Sequence, residues 1–469
     1  MLKINIGSNF LGAGYQVLLQ FALLPIILNA LGAEAYGLVG LFTVLSSLFS
    51  LLDFGISPAL GRELSRLSAI PNSGESMRQT VSTLEMICGA ITLLIGIVLF
   101  FGSDLVARYW ITETTIPLPV VACCLSWMGL QVAFQFMTSF YNSGLLGLQK
   151  IVLSNILQSI LQTVRAAAVI ALLMIAPQWW NMRLVEQFFF LNASMSGLML
   201  IVVAVSLYHV LPEHELKNVA GIGLITKILR RFNVERLRAC WRYAAGMTAT
   251  MMVVMLLTQL DKMVLSKVLS LELFGFYTIA SSIAMAIVRP APLIFSAALP
   301  RFTQLVELND TEKLGKTYLK LIRLSAWIVL PAAGMIILFS EQLFNLYLNN
   351  APGAVIIAAL ASILIMGYSL HSLTYMPYAL SLAYGWTRYG FNISLVACIF
   401  TLPIILFGAI KYGATGAAYG WLILNIGYLI FSIRYLHKKI LPKLYLQFYK
   451  AFAIPAGILI LLILAYFIF

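Results

Sequence analysis

Thirteen mainly apolar runs, each long enough to cross a hydrocarbon core of about 30 Å as a helix of about 20 residues, divide this chain. They fall near 7–30, 36–61, 81–102, 115–141, 151–176, 186–208, 243–265, 271–299, 318–340, 353–383, 387–410, 415–436 and 451–469. In lipid every backbone amide must find its partner within the protein, which leaves helices or a closed barrel. Continuous apolar runs of this length are helical. Only 10% of the 469 residues are charged and 61% are hydrophobic, against about 25% charged in an ordinary soluble domain. The chain therefore reads as an all-α integral membrane protein with twelve spans and a terminal hydrophobic helix.

Lys and Arg set its orientation. With the N-terminus in the cytoplasm, inside connectors collect Arg62, Arg66, Arg78, Lys150, the 217–242 cluster, Arg301, Lys313, Lys316, Lys320, Arg323, Arg388 and the 434–450 cluster. Outside connectors hold only Arg108, Arg183, Lys262, Lys267 and Lys411. This placement between spans accounts for the net charge of +13 without nucleic acid as a partner. The opening MLKINIGSNFLGAGYQ lacks the parts of a signal peptide and leads into an uncleaved first helix. In the basic linker, Leu224, Ile225, Ile228, Leu229 and Phe232 share a helical face opposite Lys227, Arg230 and Arg231. That pattern suits an interfacial helix drawn to anionic lipid, and equally a plain linker. The five cysteines show no metal-ligand spacing or disulfide framework, and no cofactor is expected.

The chain also repeats. LGAEAYG (31–37) matches LSLELFG (269–275) at an offset of 238, SPALGR (57–62) matches SAALPR (296–301) at 239, and GLQKIVLSNI (147–156) matches YGWTRYGFNI (384–393) at 237. Six spans per copy is an even number, so the copies enter the membrane in the same direction. The expected architecture is two parallel-related six-helix bundles around a central cavity. They occupy 1–208 and 243–436, joined by a cytoplasmic linker at 209–242, with a basic segment and terminal helix at 437–469. LGAEAYG and LSLELFG read as short outside hairpins.

LPIILNALGAEAYGL (24–38), LLDFGISPALGRELSR (51–66) and LGLQK (146–150) carry a family likeness. The chain resembles bacterial polysaccharide flippases, the O-antigen and exopolysaccharide exporters of the multidrug/oligosaccharidyl-lipid/polysaccharide superfamily. The resemblance implies translocation of undecaprenyl-diphosphate-linked oligosaccharide across the cytoplasmic (inner) membrane. It further implies a coupling proton or sodium ion, and a polysaccharide polymerase and chain-length regulator as partners. Family members commonly have twelve or fourteen spans, so the run at 451–469 leaves the side of the C-terminus open.

Ionisable groups at mid-bilayer usually face a cavity or a partner. Arg165 lies near the middle of span five, with Asn155, Gln158 and Gln162 behind it at helical spacing. Gln131, Gln135, Thr138 and Asn142 form a similar stripe in span four, as do Asn9, Gln16 and Gln20 in span one. Such stripes line a hydrated lumen or stitch helices together. Arg289 holds the matching depth in span eight, followed by Pro290 and Pro292, which break or kink a helix. Arg165 and Arg289 are the candidates for the diphosphate, because guanidinium binds phosphate oxygens through a planar fork. Asp53 stands in span two nearly opposite Arg289 in the repeat, as a gate, a separate lumen group or half of a structural ion pair. Arg62 and Arg301 mark the cytoplasmic mouth, where they attract headgroups or simply orient the chain. Tyr368, Tyr375, Tyr378 and His371 form a face in span ten that receives sugar rings or packs. Glu85, Asp261 and His371 are the candidates for ion coupling.

LGKT at 314–317 has the ending of a phosphate loop, but Asp310 stands where glycine is required. Outside connectors of about a dozen residues leave no room for the large domain of a polymerase or ligase. A cation-coupled multidrug exporter of the same superfamily is the nearer rival.

Overall fold

The computed structural model describes residues 2–68, 70, 71, 73–111, 114–175, 182–212, 234–349, 351, 353–386 and 388–468. Among them regular structure is entirely helical. The helices are α1 (Leu2–Ser50), α2 (Ile56–Ser68), α3 (Gly74–Tyr109), α4 (Leu118–Gly147), α5 (Ile151–Ile175), α6 (Leu184–Val210), α7 (Val234–Val268) and α8 (Leu271–Val288). They continue with α9 (Pro290–Glu307), α10 (Thr311–Leu338), α11 (Ser340–Tyr347), α12 (Ala354–Ser372), α13 (Tyr375–Ala383), α14 (Arg388–Gly427), α15 (Ile433–Lys439) and α16 (Tyr445–Ile468). The described residues of the thirteen apolar runs fall mainly on helix, and ten stretches of the described residues are long and apolar enough to cross a membrane. This is a multi-pass membrane protein. The amphipathic residues Leu224–Phe232 lie outside the described residues, while 234–242 already belongs to α7.

Two of the helices carry two expected spans each. At 49 residues α1 would reach about 70 Å if straight, more than twice the hydrocarbon core. Its interruption is Gly32 (φ 82°, ψ 172°). The 40-residue α14 is interrupted at Gly413 (φ 60°, ψ −138°), and there the chain doubles back. A Cβ on Gly408 would lie 2.8 Å from the carbonyl oxygen of Gly416, whereas a straight helix would separate those residues by about 12 Å. Spans eleven and twelve form a tight helical hairpin.

Two further spans break where the sequence carries charge. Span two breaks at a 3-10 turn, Leu51–Asp53, and Phe54 (φ 45°) and Gly55 (φ 70°) turn the chain into α2. Span eight breaks at Arg289, between α8 and α9, where Pro290 and Pro292 have no N–H to continue the helix. The breaks are repeat-equivalent, since 238 residues separate Asp53 from Ala291.

Compact units follow packing rather than chain order. The first comprises Met1–Ile26, Leu41–Ile111 and Thr115–Met252; the second comprises Ile27–Gly40, Thr112–Thr114 and Val253–Phe469. In the first unit Leu60, Leu64, Val81, Cys88, Phe140, Leu145 and Leu207 make a fully buried core of α2, α3, α4 and α6. In the second, α16 packs on α10, with Leu462 against Gly334 and Phe448 stacked on Tyr318. The terminal apolar run is thus a long helix integral to this unit.

The repeated motif proves to be more than a turn. Only Gly32 is non-helical in LGAEAYG, and Ser270 starts α8 by accepting the N–H of Leu273, so Glu, aromatic and Gly sit in helix in both copies. Within the second unit the two copies touch each other. A Cβ on Gly37 would collide with the carbonyl of Leu271, and one on Gly275 with the carbonyl of Ala33. Those pairs are exact repeat equivalents, 37 with 275 and 33 with 271. Glycine permits the close backbone approach there.

Candidate functional site

In the first unit, α4, α5 and α6 line a half-open cavity of about 170 Å³. Gln135 and Thr138 line it from α4, Leu161, Gln162 and Arg165 from α5, and Met195, Ser196 and Met199 from α6. Four of the residues expected from the two polar stripes therefore share one wall. Arg165 Nε donates to Asn192 Oδ1 at 2.7 Å, and the buried Asn192 is itself anchored through Nδ2 to the carbonyl of Phe188 at 2.7 Å. This second bond fixes which amide atom faces Arg165. No carboxylate is ion-paired with Arg165 among the described residues.

The other stripe residues behave differently. Gln158 donates to Asn142 Oδ1 and to Ser154 Oγ, each at 3.2 Å, and Ser154 donates to Asn142 at 2.5 Å. That network stitches α4 to α5. Asn155 packs beneath Gly12 of α1, with its Cβ 3.7 Å from where a glycine Cβ would stand. Gln131 is buried in α4, Gln16 is half-buried, Gln20 is exposed, and none of the three lines the cavity.

In the second unit Arg289 is exposed at the α8–α9 joint and lies within electrostatic reach of Tyr375 on α13. Tyr375 meets Phe295 edge-on (6.2 Å, 78°) and His371 edge-on (5.5 Å, 79°), while Tyr378 stacks on Phe295 (5.8 Å, 12°). His371 Nδ1 lies 2.9 Å from Asn425 Oδ1, and Asn425 Nδ2 donates to Trp421 O at 2.8 Å. An amide oxygen only accepts, so His371 carries its proton on Nδ1. The joint thus brings a guanidinium, two phenols, a phenyl ring and an imidazole together.

The candidate carboxylates occupy three environments. Asp53 accepts the backbone N–H and the hydroxyl of Ser57, at 3.1 and 2.6 Å, and so binds the first turn of α2. Glu85 accepts the Tyr141 hydroxyl at 2.5 Å on one oxygen and the Tyr208 hydroxyl on the other. Asp261 is buried and accepts the Tyr277 hydroxyl at 2.5 Å, with Lys262 Nζ 3.5 Å from the same oxygen. Arg62 and Arg301 are exposed on α2 and α9, and Arg301 donates to Gln304 at 2.6 Å.

Three participants escaped the sequence reading. Asn192 and Ser196 are a polar i,i+4 pair in an apolar span, a readable signal. Phe295 carries none, because its role depends on how α9 meets α13.

Helices of this length, two of them broken at repeat-equivalent places, define a class of polytopic helical membrane proteins, and solved structures show the same fold. The lipid II flippase MurJ in its inward closed conformation matches with a TM-score of 0.68 at 15% identity, over 99% of this chain and 97% of that one. An inward-facing multidrug resistance MATE family transporter of the MOP superfamily also gives 0.68, at 16% identity over 91% and 96%. A MOP superfamily transporter from Pyrococcus furiosus gives 0.58, at 15% identity over 92% and 95%. The chain belongs to the polysaccharide biosynthesis protein family, whose model matches residues 2–306. Lipopolysaccharide biosynthesis protein WzxC of Escherichia coli (strain K12) is 26% identical over 217 residues, which span 46% of this chain and 43% of that relative.

Proposed function

We propose that the chain carries an undecaprenyl-diphosphate-linked oligosaccharide, an O-antigen or exopolysaccharide repeat unit, across the bacterial cytoplasmic membrane by alternating access. Its N-terminus lies in the cytoplasm, and ion coupling resets the empty carrier. The reading rests on Arg165, a guanidinium in a membrane span with no ion-paired carboxylate among the described residues, on the wall of an amide-lined cavity. A permanent cation in that setting calls for an anion that arrives as ligand. Arg289, within electrostatic reach of Tyr375, is the second contact for the diphosphate, and Phe295 and Tyr378, packed with Tyr375, offer aromatic faces for sugar rings. Outward movement of the anion is electrically downhill by about 2.3 kcal/mol per charge per 100 mV in an inside-negative cell.

The test is complementation of a deletion strain with Arg165→Ala and Arg289→Ala. Surface polysaccharide should fall and lipid-linked oligosaccharide accumulate while protein levels stay normal. Normal surface polysaccharide with both variants would refute the diphosphate site. Drug efflux in a sensitised strain, with no polysaccharide defect, would instead point to a multidrug exporter.

A further inference from the structure

We infer that Lys262 occupies the place a metal cation would take beside Asp261, so that the ion coupled to transport is the proton and not sodium. The inference rests on the export reading above. Both residues are buried, with 4% and 6% of their surface exposed. Asp261 Oδ2 holds two partners, the Tyr277 hydroxyl of α8 at 2.5 Å and Lys262 Nζ at 3.5 Å. Asp261 Oδ1 is also buried and has no hydrogen-bond partner among the described residues. From α12, Tyr368 interacts electrostatically with both members of the pair. Lys262, Tyr277 and Tyr368 are thus the titratable groups facing Asp261 from α7, α8 and α12, and no other charged group is ion-paired with it among the described residues.

A buried carboxylate with an open oxygen, flanked by phenol hydroxyls, is the oxygen-rich setting a hard cation needs. Here the positive charge is already present on a tethered ammonium. A sodium ion on Oδ1 would meet it across a few ångströms of poorly screened interior. A proton needs no vacant coordination sphere; it adds from the medium to a lone pair of Oδ1 and neutralises the carboxylate. Lys262 then loses its counter-charge, and the pair changes from neutral to singly positive. Burial disfavours that charge, so protonation favours an arrangement in which Lys262 reaches water. The change has a direct route onward. Tyr277 lies two residues beyond Gly275, whose backbone touches Ala33 and Gly37 of α1. Glu85 lacks the opening, because each of its oxygens already accepts a tyrosine hydroxyl.

The probe is sodium chloride against potassium chloride at equal ionic strength and pH, read as the unfolding equilibrium of the purified full chain in detergent. The wild type should show no sodium-specific stabilisation. Lys262→Ser, which empties the cation position, should gain one, about tenfold in the unfolding equilibrium at sodium ten times above its Kd. Adding Asp261→Asn should abolish the gain, and Lys262→Arg should remain indifferent to sodium. Sodium-specific stabilisation of the wild type that Asp261→Asn removes would overturn the inference, as would a Lys262→Ser protein that folds yet ignores sodium. Should that variant not accumulate, wild-type cells decide: collapse of the pH gradient at constant voltage must slow polysaccharide export, and removal of sodium must not. The detergent measurements need no transported substrate. A failure of the export reading would show in the Arg165 and Arg289 complementation and leave them standing.

Discussion

The reciprocal glycine crossing makes a quantitative demand. A methyl group on Gly275 would stand 3.0 Å from Gly37 N and 3.1 Å from the carbonyl carbon of Ala33, and nearer still to its oxygen. One on Gly37 would stand 2.9 Å from Leu271 Cδ1 and nearer to the Leu271 oxygen. Carbon atoms settle about 3.5–4.0 Å apart, and the obstacle is backbone, so the helices themselves must part by roughly 0.5–1 Å. Overpacking of this kind costs about 1–3 kcal/mol. Gly37→Ala and Gly275→Ala should each destabilise the purified protein by that amount in equilibrium denaturation from mixed micelles. One displacement relieves both clashes, so the double variant should cost less than the sum, with a coupling of about 0.5–3 kcal/mol. Gly102 of α3 meets nothing within 4 Å, and Gly102→Ala should be neutral or stabilising by up to about 1 kcal/mol. Costs that add fully, or single variants indistinguishable from the Gly102 control, would mean that the crossing is not a shared contact.

Substitutions at two further positions test the span-two break and the hairpin of α14. Asp53→Asn keeps an acceptor for Ser57 and should cost only the helix-end charge, about 0.3–1 kcal/mol. Asp53→Ala strands the Ser57 donors and should cost about 1–3 kcal/mol in the same denaturation assay; equal losses from Asn and Ala would show that the charge is what matters there. Gly413→Ala forces a side chain into a glycine-only conformation (φ 60°, ψ −138°), at about 1–3 kcal/mol. A thermal midpoint like the wild type's would argue against the hairpin.

Much of the fold was legible because lipid removes alternatives. An apolar run of the right length must be helix, and basic residues cannot be buried casually, so span positions followed from composition along the chain. The break at Arg289–Pro292 was legible for a backbone reason, since proline cannot donate; the break at Asp53–Gly55 was not, although Gly55 takes a positive φ there. The cavity around Arg165 was half legible. Helical spacing put Gln162 beside Arg165 and Gln135 beside Thr138, and both pairs do line it. The same spacing gave no way to separate Gln162, which faces the cavity, from Gln158, which is spent on Asn142 and Ser154. That distinction depends on how α4 rotates against α5. Periodicity within one helix carries no information about it.

The repeat poses the sharper problem, because the copies share backbone geometry while their chemistry diverges. Every break in a helix exposes two ends, a donor-rich N-terminus and an acceptor-rich C-terminus, and each is stabilised by charge of opposite sign. The first copy places Asp53 before α2, where its carboxylate accepts the N–H of the buried Ser57 in the first turn. The second places Arg289 just past the end of α8, where a cation suits the exposed carbonyls. Opposite charges at nearly equivalent positions therefore require no contact with each other, since each answers a different end of the same kind of break. The two solutions differ in what they leave over. Asp53 is consumed by its local bonds to Ser57. Arg289 interacts with its helix end through a dipole and keeps its guanidinium exposed beside Tyr375. The repeat carries two breaks, and which end is neutralised leaves Asp53 bonded to Ser57 and Arg289 exposed.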